Sequence, residues 1–189
     1  MSFDDDPGIW RVLASEHVAR EPWYTVRVDR VQLPSGTIIP RYWVHEYPPW
    51  VNVVALTQDD RVVLIRQYRH GLGRVDFEIP AGTTDSDDTS LESAARRELL
   101  EETGYGGGTW SLLMTVSANP SLQNNLTYTF LAEGVTRLRD AAPEANEEMT
   151  VRLTPLAEVG RLIDSGGFVQ ALHVAPLLMV LLRRQLARS

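Results

Sequence analysis

The chain has 189 residues, a hydrophobic share of 43% and a formal net charge of −7. That length allows one domain with a substantial core plus an extension, and the acidic balance argues against nonspecific nucleic-acid binding, which needs a basic face. Cysteine is absent and all 18 basic residues are arginine, which excludes disulfides, thiolate catalysis, cysteine metal sites, a P-loop lysine and Schiff-base chemistry.

Met1 to Gly8 is rich in aspartate and reads as a loose tail, not as a secretory signal, which would be basic and then apolar. Together with the lack of cysteine, this sets the expectation of a cytoplasmic protein. Thr25 to Gln32 alternates polar and apolar residues, the pattern of a half-buried strand. Pro34-Ser35-Gly36 is a turn, and Ile38 to His45 returns as a second strand. Pro48-Pro49 marks a boundary, so residues 1–47 are expected to form a tail and an antiparallel β extension, and residues 48–189 the main domain. Val51 to Thr57 and Arg61 to Tyr68 are the next strands, joined by a turn at Asp59-Asp60. A strand ending at Ile79-Pro80, a glycine-bearing loop with Asp85, Asp87 and Asp88, and a helix follow. Strands are then expected at Trp110 to Ser117, Thr127 to Glu133 and Met149 to Leu153, and helices at Leu156 to Asp164 and Ala171 to Ala187. The last helix is apolar, but Pro176, Arg183 and Arg184 interrupt it, so it reads as a packed helix and not as a membrane span. Strands and helices without regular βαβ alternation indicate an α+β fold with a mixed sheet.

The most informative segment is Arg97-Glu98-Leu99-Leu100-Glu101-Glu102-Thr103-Gly104-Tyr105. On a helix turning about 100° per residue, Glu98 and Glu102 stand nearly one above the other. Like charges at that spacing repel unless they share a cation, and acids near a helix C-terminus oppose its dipole. Both glutamates continue the small apolar stripe of Leu91, Ala94 and Ala95, so they are expected to point inward. The pattern proposes a site for a hard, oxygen-seeking ion such as Mg²⁺. Thr89 with Glu92 fits a capping box, and Gly104 fits the left-handed position past the helix end, giving a helix over about Ser90 to Thr103.

Gly82, the acidic loop and the Arg97–Tyr105 segment resemble the signature of the Nudix hydrolases. Two departures stand out. Thr89 occupies the family's first glutamate position, and the spacing from Gly82 is one residue long; Asp87 or Asp88 is a candidate substitute for that acid, which supports the loop through the arginine. The resemblance implies an α/β/α sandwich with a mixed sheet. Arg66-Gln67-Tyr68-Arg69, Phe77 to Gly82, the stretch Asn119 to Asn125 and the placement of Pro120 sixteen residues after Gly104 are similar to the ADP-ribose and nucleoside-diphosphate-sugar pyrophosphatase branch. That branch implies a homodimer whose N-terminal strands exchange and help build the nucleotide pocket.

The resemblance also implies residue roles. Glu98 and Glu102 are the expected metal ligands, with Glu101, Glu147 and the Ala81 carbonyl completing the set, for Mg²⁺ or alternatively Mn²⁺. Arg97 orients a glutamate. A base on the loop Pro143 to Glu148 is expected; the usual base position falls on Ala145, which leaves Glu144, Glu147 and Glu148 as candidates. Arg69, Glu78, Arg27, Trp23 and Pro120 are the expected substrate-binding residues, with Tyr24 and Trp43 as further stacking candidates. For Arg69 the competing reading is a surface arginine paired with Asp76 or Glu78. The implied reaction is metal-dependent hydrolysis of ADP-ribose or a related nucleoside diphosphate sugar to a nucleoside monophosphate and a sugar phosphate. The alternatives are a dinucleotide such as NADH, a nucleoside triphosphate, or a nucleotide sensor that does not cleave. No nucleic-acid or membrane partner is expected.

Overall fold

The structure, a computed structural model, describes residues 6–21, 24–143 and 147–187. The chain falls into two compact units, Met1–Pro48 with Asn119–Asn125, and Pro49–Ala118 with Leu126–Ser189.

The first unit is a three-stranded antiparallel sheet, β1 (Arg11–Glu21), β2 (Tyr24–Gln32) and β3 (Ile38–Glu46), in the order β1-β2-β3. Val26, Val28 and Val31 of the central strand are buried. The β2–β3 turn uses Gly36 at φ 88°, a left-handed conformation that glycine adopts without a Cβ penalty. β1 is the element that the sequence pattern did not delineate. Its pairing with β2 shifts register between Val12 and Ala14 and again between His17 and Ala19, and each shift resets the two-residue alternation by which a strand is read. The segment Asn119–Asn125 clips onto β3: the His45 N–H donates to the Leu122 carbonyl at 2.6 Å and the Asn124 N–H returns to the His45 carbonyl at 3.2 Å.

The second unit is built on a mixed sheet. Its main path runs β11 (Met149–Pro155), β5 (Arg61–Arg69), β4 (Trp50–Thr57), β10 (Thr127–Arg137) and β8 (Tyr105–Gly106). Three further strands branch from it: β6 (Arg74–Glu78) on β5, β7 (Ala81–Thr83) on β4, and β9 (Thr109–Val116) on β10. β4 and β10 are parallel, while β5 pairs antiparallel with β4, β6 and β11. Both faces are covered, which is why Val51 to Leu56 is almost wholly apolar and fully buried. On one face Val51, Val53, Ala55, Val63 and Phe130 pack against Ala94, Ala95 and Leu99 of α1 (Leu91–Thr103). On the other, Val54, Leu56, Val62, Leu64 and Leu131 pack against α2 (Leu156–Asp164) and α3 (Ala171–Leu186) through Val159, Leu177 and Val180. Helix–sheet–helix is the expected α+β sandwich. Among the described residues, no helix is long and apolar enough to cross a membrane.

The helix start differs in detail from the sequence expectation. Ser90, not Thr89, is the N-cap: the Ser93 N–H donates to Ser90 Oγ at 3.0 Å, and the Ser90 N–H donates to Ser93 Oγ at 2.8 Å. Serine at the third helical position performs the back-bond usually made by glutamate, leaving Glu92 to pair with Arg96 one turn on. Gly104 ends the helix at φ 74°, its N–H bonded to the Leu100 carbonyl. A Cβ there would overlap the Arg139 carbonyl oxygen. Gly104→Ala is therefore expected to lower unfolding free energy by roughly 2 kcal/mol, from left-handed strain plus the clash. Urea denaturation of the purified variant measures it.

Candidate active site

α1 presents its acids at three depths. Its buried face is Ala94, Ala95, Leu99, Glu102 and Thr103, so the helical period carries Glu102 inward with the apolar stripe. Glu102 is 2% exposed, the Glu98 side chain 12% and the Glu101 side chain 39%. Glu102 Oε2 accepts the Ala81 N–H at 3.1 Å. Glu98 lies against Gly82, where any Cβ would overlap its carboxyl group and displace it from this position. The turn Ile79 to Gly82 is held in turn by the sheet, since Pro80 accepts the Val53 N–H at 2.9 Å.

Burial governs the electrostatics. Desolvation pushes the Glu98 carboxyl up to about 7, with opposition from Arg97 and reinforcement from Glu101 and Glu147. Desolvation likewise drives Glu102 well above the usual carboxylate range, and the neighbouring Glu98 charge adds to it. Glu147, on the segment before β11, contributes its field to both and to Arg69. The fold thus brings the distant Glu147 to Glu98, Glu101 and Glu102 of α1, making one negative region.

Arg97 is the hub of this region. Its NH1 donates to Glu98 Oε1 at 3.0 Å and to Glu101 Oε2 at 3.1 Å, and its NH2 donates to the Thr83 carbonyl at 2.9 Å. Its remaining edge grips Asp88, Nε to Oδ1 at 3.3 Å and NH2 to Oδ2 at 3.0 Å. The Arg97 hydrogen bonds hold the Asp88 carboxyl below the usual carboxylate range despite partial burial. Asp88 also accepts the Asp85 N–H at 2.8 Å, which folds the acidic loop back on itself. Of the two aspartates that could compensate for Thr89, Asp88 meets the arginine, while Asp87 is exposed beside Ser86. The one-residue lengthening of the loop carries its acid one position before Thr89.

The expected substrate residues are already engaged in pairs. Arg69 and Glu78 face each other across the β5–β6 hairpin in a two-pronged bond, Nε to Oε1 at 2.7 Å and NH2 to Oε2 at 2.5 Å. That hydrogen bonding raises the Arg69 pKa further. Glu78 is buried, whereas the Arg69 side chain remains 43% exposed, so the pairing orients the guanidinium without covering it. Arg27 is held by Asp29 and Glu46 within the first unit. Pro120 is exposed in the Asn119–Asn125 clip. Tyr24 packs edge-on against His45, and Arg41 lies over the Trp43 ring. Trp23 and Glu144 lie outside the described residues. A further buried contact comes from α3, where His173 is 2% exposed and accepts the Ile79 N–H at Nδ1, 2.9 Å away. Its only signal in the sequence was an imidazole in an otherwise apolar helix.

Among the described residues no three histidine or acidic side chains close on a common point in ion-ligating geometry; Arg97 stands between Glu98 and Glu101. The donor set nonetheless fits a divalent ion. It is all oxygen, which suits a hard cation. It contains two carboxylates, Glu98 and Glu102, each raised chiefly by desolvation, with Glu98 and Glu147 adding to the rise at Glu102 and Glu101 and Glu147 to that at Glu98, a cost that a cation would relieve.

Residues 46–172 match the NUDIX domain, and residues 10–44 match the nucleoside diphosphate sugar hydrolase N-terminal domain. The chain belongs to the Nudix family, whose hydrolases use divalent metal ions, and it is a pyrophosphatase of that family. It is similar to the ADP-ribose pyrophosphatase of Mycobacterium tuberculosis, with 30% identity over 174 residues that cover 90% of this chain and 83% of that one. It is 28% identical to the ADP-ribose pyrophosphatase of Bacillus subtilis over 156 residues, 82% of this chain and 83% of its relative. The crystal structure of an ADP compounds hydrolase matches at a TM-score of 0.83 and 26% identity, covering 97% of both chains.

The Glu98 shift fixes a sign for pH dependence. In the unfolded chain this carboxyl loses its proton near 4.5, and in the folded protein near 7. Between those values only the folded state holds the proton, so metal-free stability is expected to fall as pH rises from about 4.5 to 7, on the order of 3 kcal/mol from this group. Glu98→Gln should flatten that slope. Chemical denaturation at a series of pH values in chelator compares the two proteins.

Proposed function

We propose that this chain hydrolyses the pyrophosphate bond of ADP-ribose or a related nucleoside diphosphate sugar, releasing a nucleoside monophosphate and a sugar phosphate. The observation that carries this reading is the desolvated pair Glu98 and Glu102 set against the Ile79–Gly82 turn. The substrate class is supported by the match of residues 10–44 to a nucleoside diphosphate sugar hydrolase N-terminal domain and by the similarity to two ADP-ribose pyrophosphatases. The ion is Mg²⁺, with Mn²⁺ as a substitute.

Glu98, Glu102, the Ala81 carbonyl, Glu101 and Glu147 would hold the ion. When bound, it neutralises phosphate oxygens, polarises the P–O bonds and acidifies water. Arg97 keeps Glu98 and Glu101 oriented from behind and is itself anchored by Asp88 and Thr83. Arg69, fixed by Glu78, offers its exposed guanidinium to a phosphate, for which a planar fork of N–H donors is suited. A carboxylate of the Pro143–Glu148 segment takes the proton of the attacking water; Glu147 is the member whose charge reaches Glu98 and Glu102. A cytoplasmic homodimer is part of the same reading, resting on the family resemblance and the absence of cysteine.

Incubating the purified protein with Mg²⁺ and ADP-ribose, ADP-glucose, GDP-mannose, NADH or a nucleoside triphosphate tests the proposal. Chromatography should detect a nucleoside monophosphate and a phosphorylated sugar from a diphosphate sugar at the highest rate. Glu98→Gln and Glu102→Gln are each expected to lower kcat on the order of a thousandfold, the loss of several kcal/mol of charge stabilisation. Both should remain folded, since each removes a buried carboxylate. Full turnover by either folded variant would remove the metal assignment.

A further inference from the structure

α3 begins with a buried polar contact that its own sequence makes necessary. Pro176 lies inside the helix and has no N–H, so the Leu172 carbonyl, four residues earlier, loses its helical donor. Asn52, at the start of the buried strand β4, supplies the missing bond, Nδ2 to the Leu172 carbonyl at 3.0 Å. The next residue, His173, makes a second bond to the sheet, accepting the Ile79 N–H at 2.9 Å. The first turn of α3 is thereby attached at two points to the strand ends that carry the Ile79–Gly82 turn.

That turn is clamped residue by residue from three directions. Ile79 is held by His173 of α3, Pro80 by Val53 of β4, and Ala81 by Glu102 of α1. Gly82 meets Glu98. The Ile79 N–H is buried and points away from the ladder partners of β6, so the imidazole is its acceptor. Acceptance at Nδ1 places the neutral ring's proton on Nε2, which stands 4.0 Å from Glu78 Oε2. Burial holds the ring neutral, its pKa lowered to about 4, so Nδ1 keeps its lone pair through the neutral pH range. The same side chain thus supports the Ile79–Gly82 turn through Nδ1 and lies behind the Arg69–Glu78 pair through Nε2.

We propose that His173 is a positioning residue of the metal site: it sets the Ile79–Gly82 turn so that the Ala81 carbonyl and the Glu98 and Glu102 carboxylates address one ion. This rests on the metal-site reading above and adds to it a residue on the opposite face of the sheet.

Mn²⁺ titration calorimetry on the purified full chain tests it, with thermal unfolding as a check on folding. His173→Asn keeps an acceptor near the Nδ1 position. His173→Gln moves its amide toward the Nε2 position, and His173→Leu has no polar atom. Loss of a residue that supports ligands from behind typically weakens metal binding by about tenfold or more. His173→Leu and His173→Gln are expected to lose about that much Mn²⁺ affinity, and His173→Asn to stay within about threefold of the wild type. Amide hydrogen exchange at Ile79 should accelerate in the Leu and Gln variants and remain slow in the Asn variant. Should His173→Leu fail to fold, the Asn and Gln variants decide the matter. Equal Mn²⁺ affinity in those two, or wild-type affinity in His173→Leu, would overturn the proposal. A wild-type protein that takes up no Mn²⁺ would overturn it together with the metal-site reading. Mn²⁺ uptake without hydrolysis of any diphosphate would sink only the proposed reaction, and the variant series would still decide the role of His173.

Discussion

Two carboxylates buried one turn apart are the constraint around which the second unit is arranged. Glu98 and Glu102 carry a desolvation cost and repel each other, so α1 tolerates them only because its neighbours supply compensating contacts. Ala94 and Ala95 let the helix approach β4 closely, and Gly82 yields the space that a side chain would take. The Ala81 N–H solvates Glu102, while Arg97 solvates Glu98. Carboxylates shifted by desolvation and by a neighbouring acid are the kind of groups that cluster at functional sites.

The arginines illustrate how an acidic chain without lysine fixes its cations in place. Arg97 and Arg69 are not scattered counter-charges. Each is locked by carboxylates on a defined edge, Arg97 by Asp88 and Arg69 by Glu78. A planar guanidinium with one edge fixed presents its other donors in a set direction. Arg97 spends those donors on its own glutamates and on the Thr83 carbonyl, which gives it an orienting task. Arg69 keeps its outer surface exposed, which gives it an outward one. Arg27, bound by Asp29 and Glu46, is occupied in the first unit's sheet.

The same logic of compensated breaks appears in the apolar face. Pro176 removes a helical hydrogen bond, and Asn52 repairs it from the sheet. Repair by a distant residue turns a local defect into a tertiary attachment, and it brings α3 to the strand ends where Ile79 needs an acceptor. Core packing alone, through Leu177 and Val180, would hold α3 against the sheet without choosing its position along the strands. Directional bonds at Leu172 and His173 make that choice.

The helix of acids, its glycine stop and the inward direction of Glu98 and Glu102 were legible in the sequence because a period of 3.6 residues is a property of the chain itself. The buried strands β4 and β5 were legible for a similar reason, as long apolar runs bounded by turns. β1 was not, because its register shifts erase the alternation, and the choice of Ser90 over Thr89 as the cap depended on a back-bond from Ser93 that only three-dimensional placement reveals. Whether Asp87 or Asp88 answers the missing glutamate was open in the sequence, since both lie within two residues of Thr89. The folded loop decided it, because of those two it is Asp88 that reaches the outer edge of Arg97, beside a longer contact from Asp85. The choice of Glu78 over Asp76 as the partner of Arg69, and the contact of His173 with Ile79, also belong to the tertiary structure. Local patterns encode which face a residue takes, whereas partners separated by tens of residues are chosen by how the faces meet.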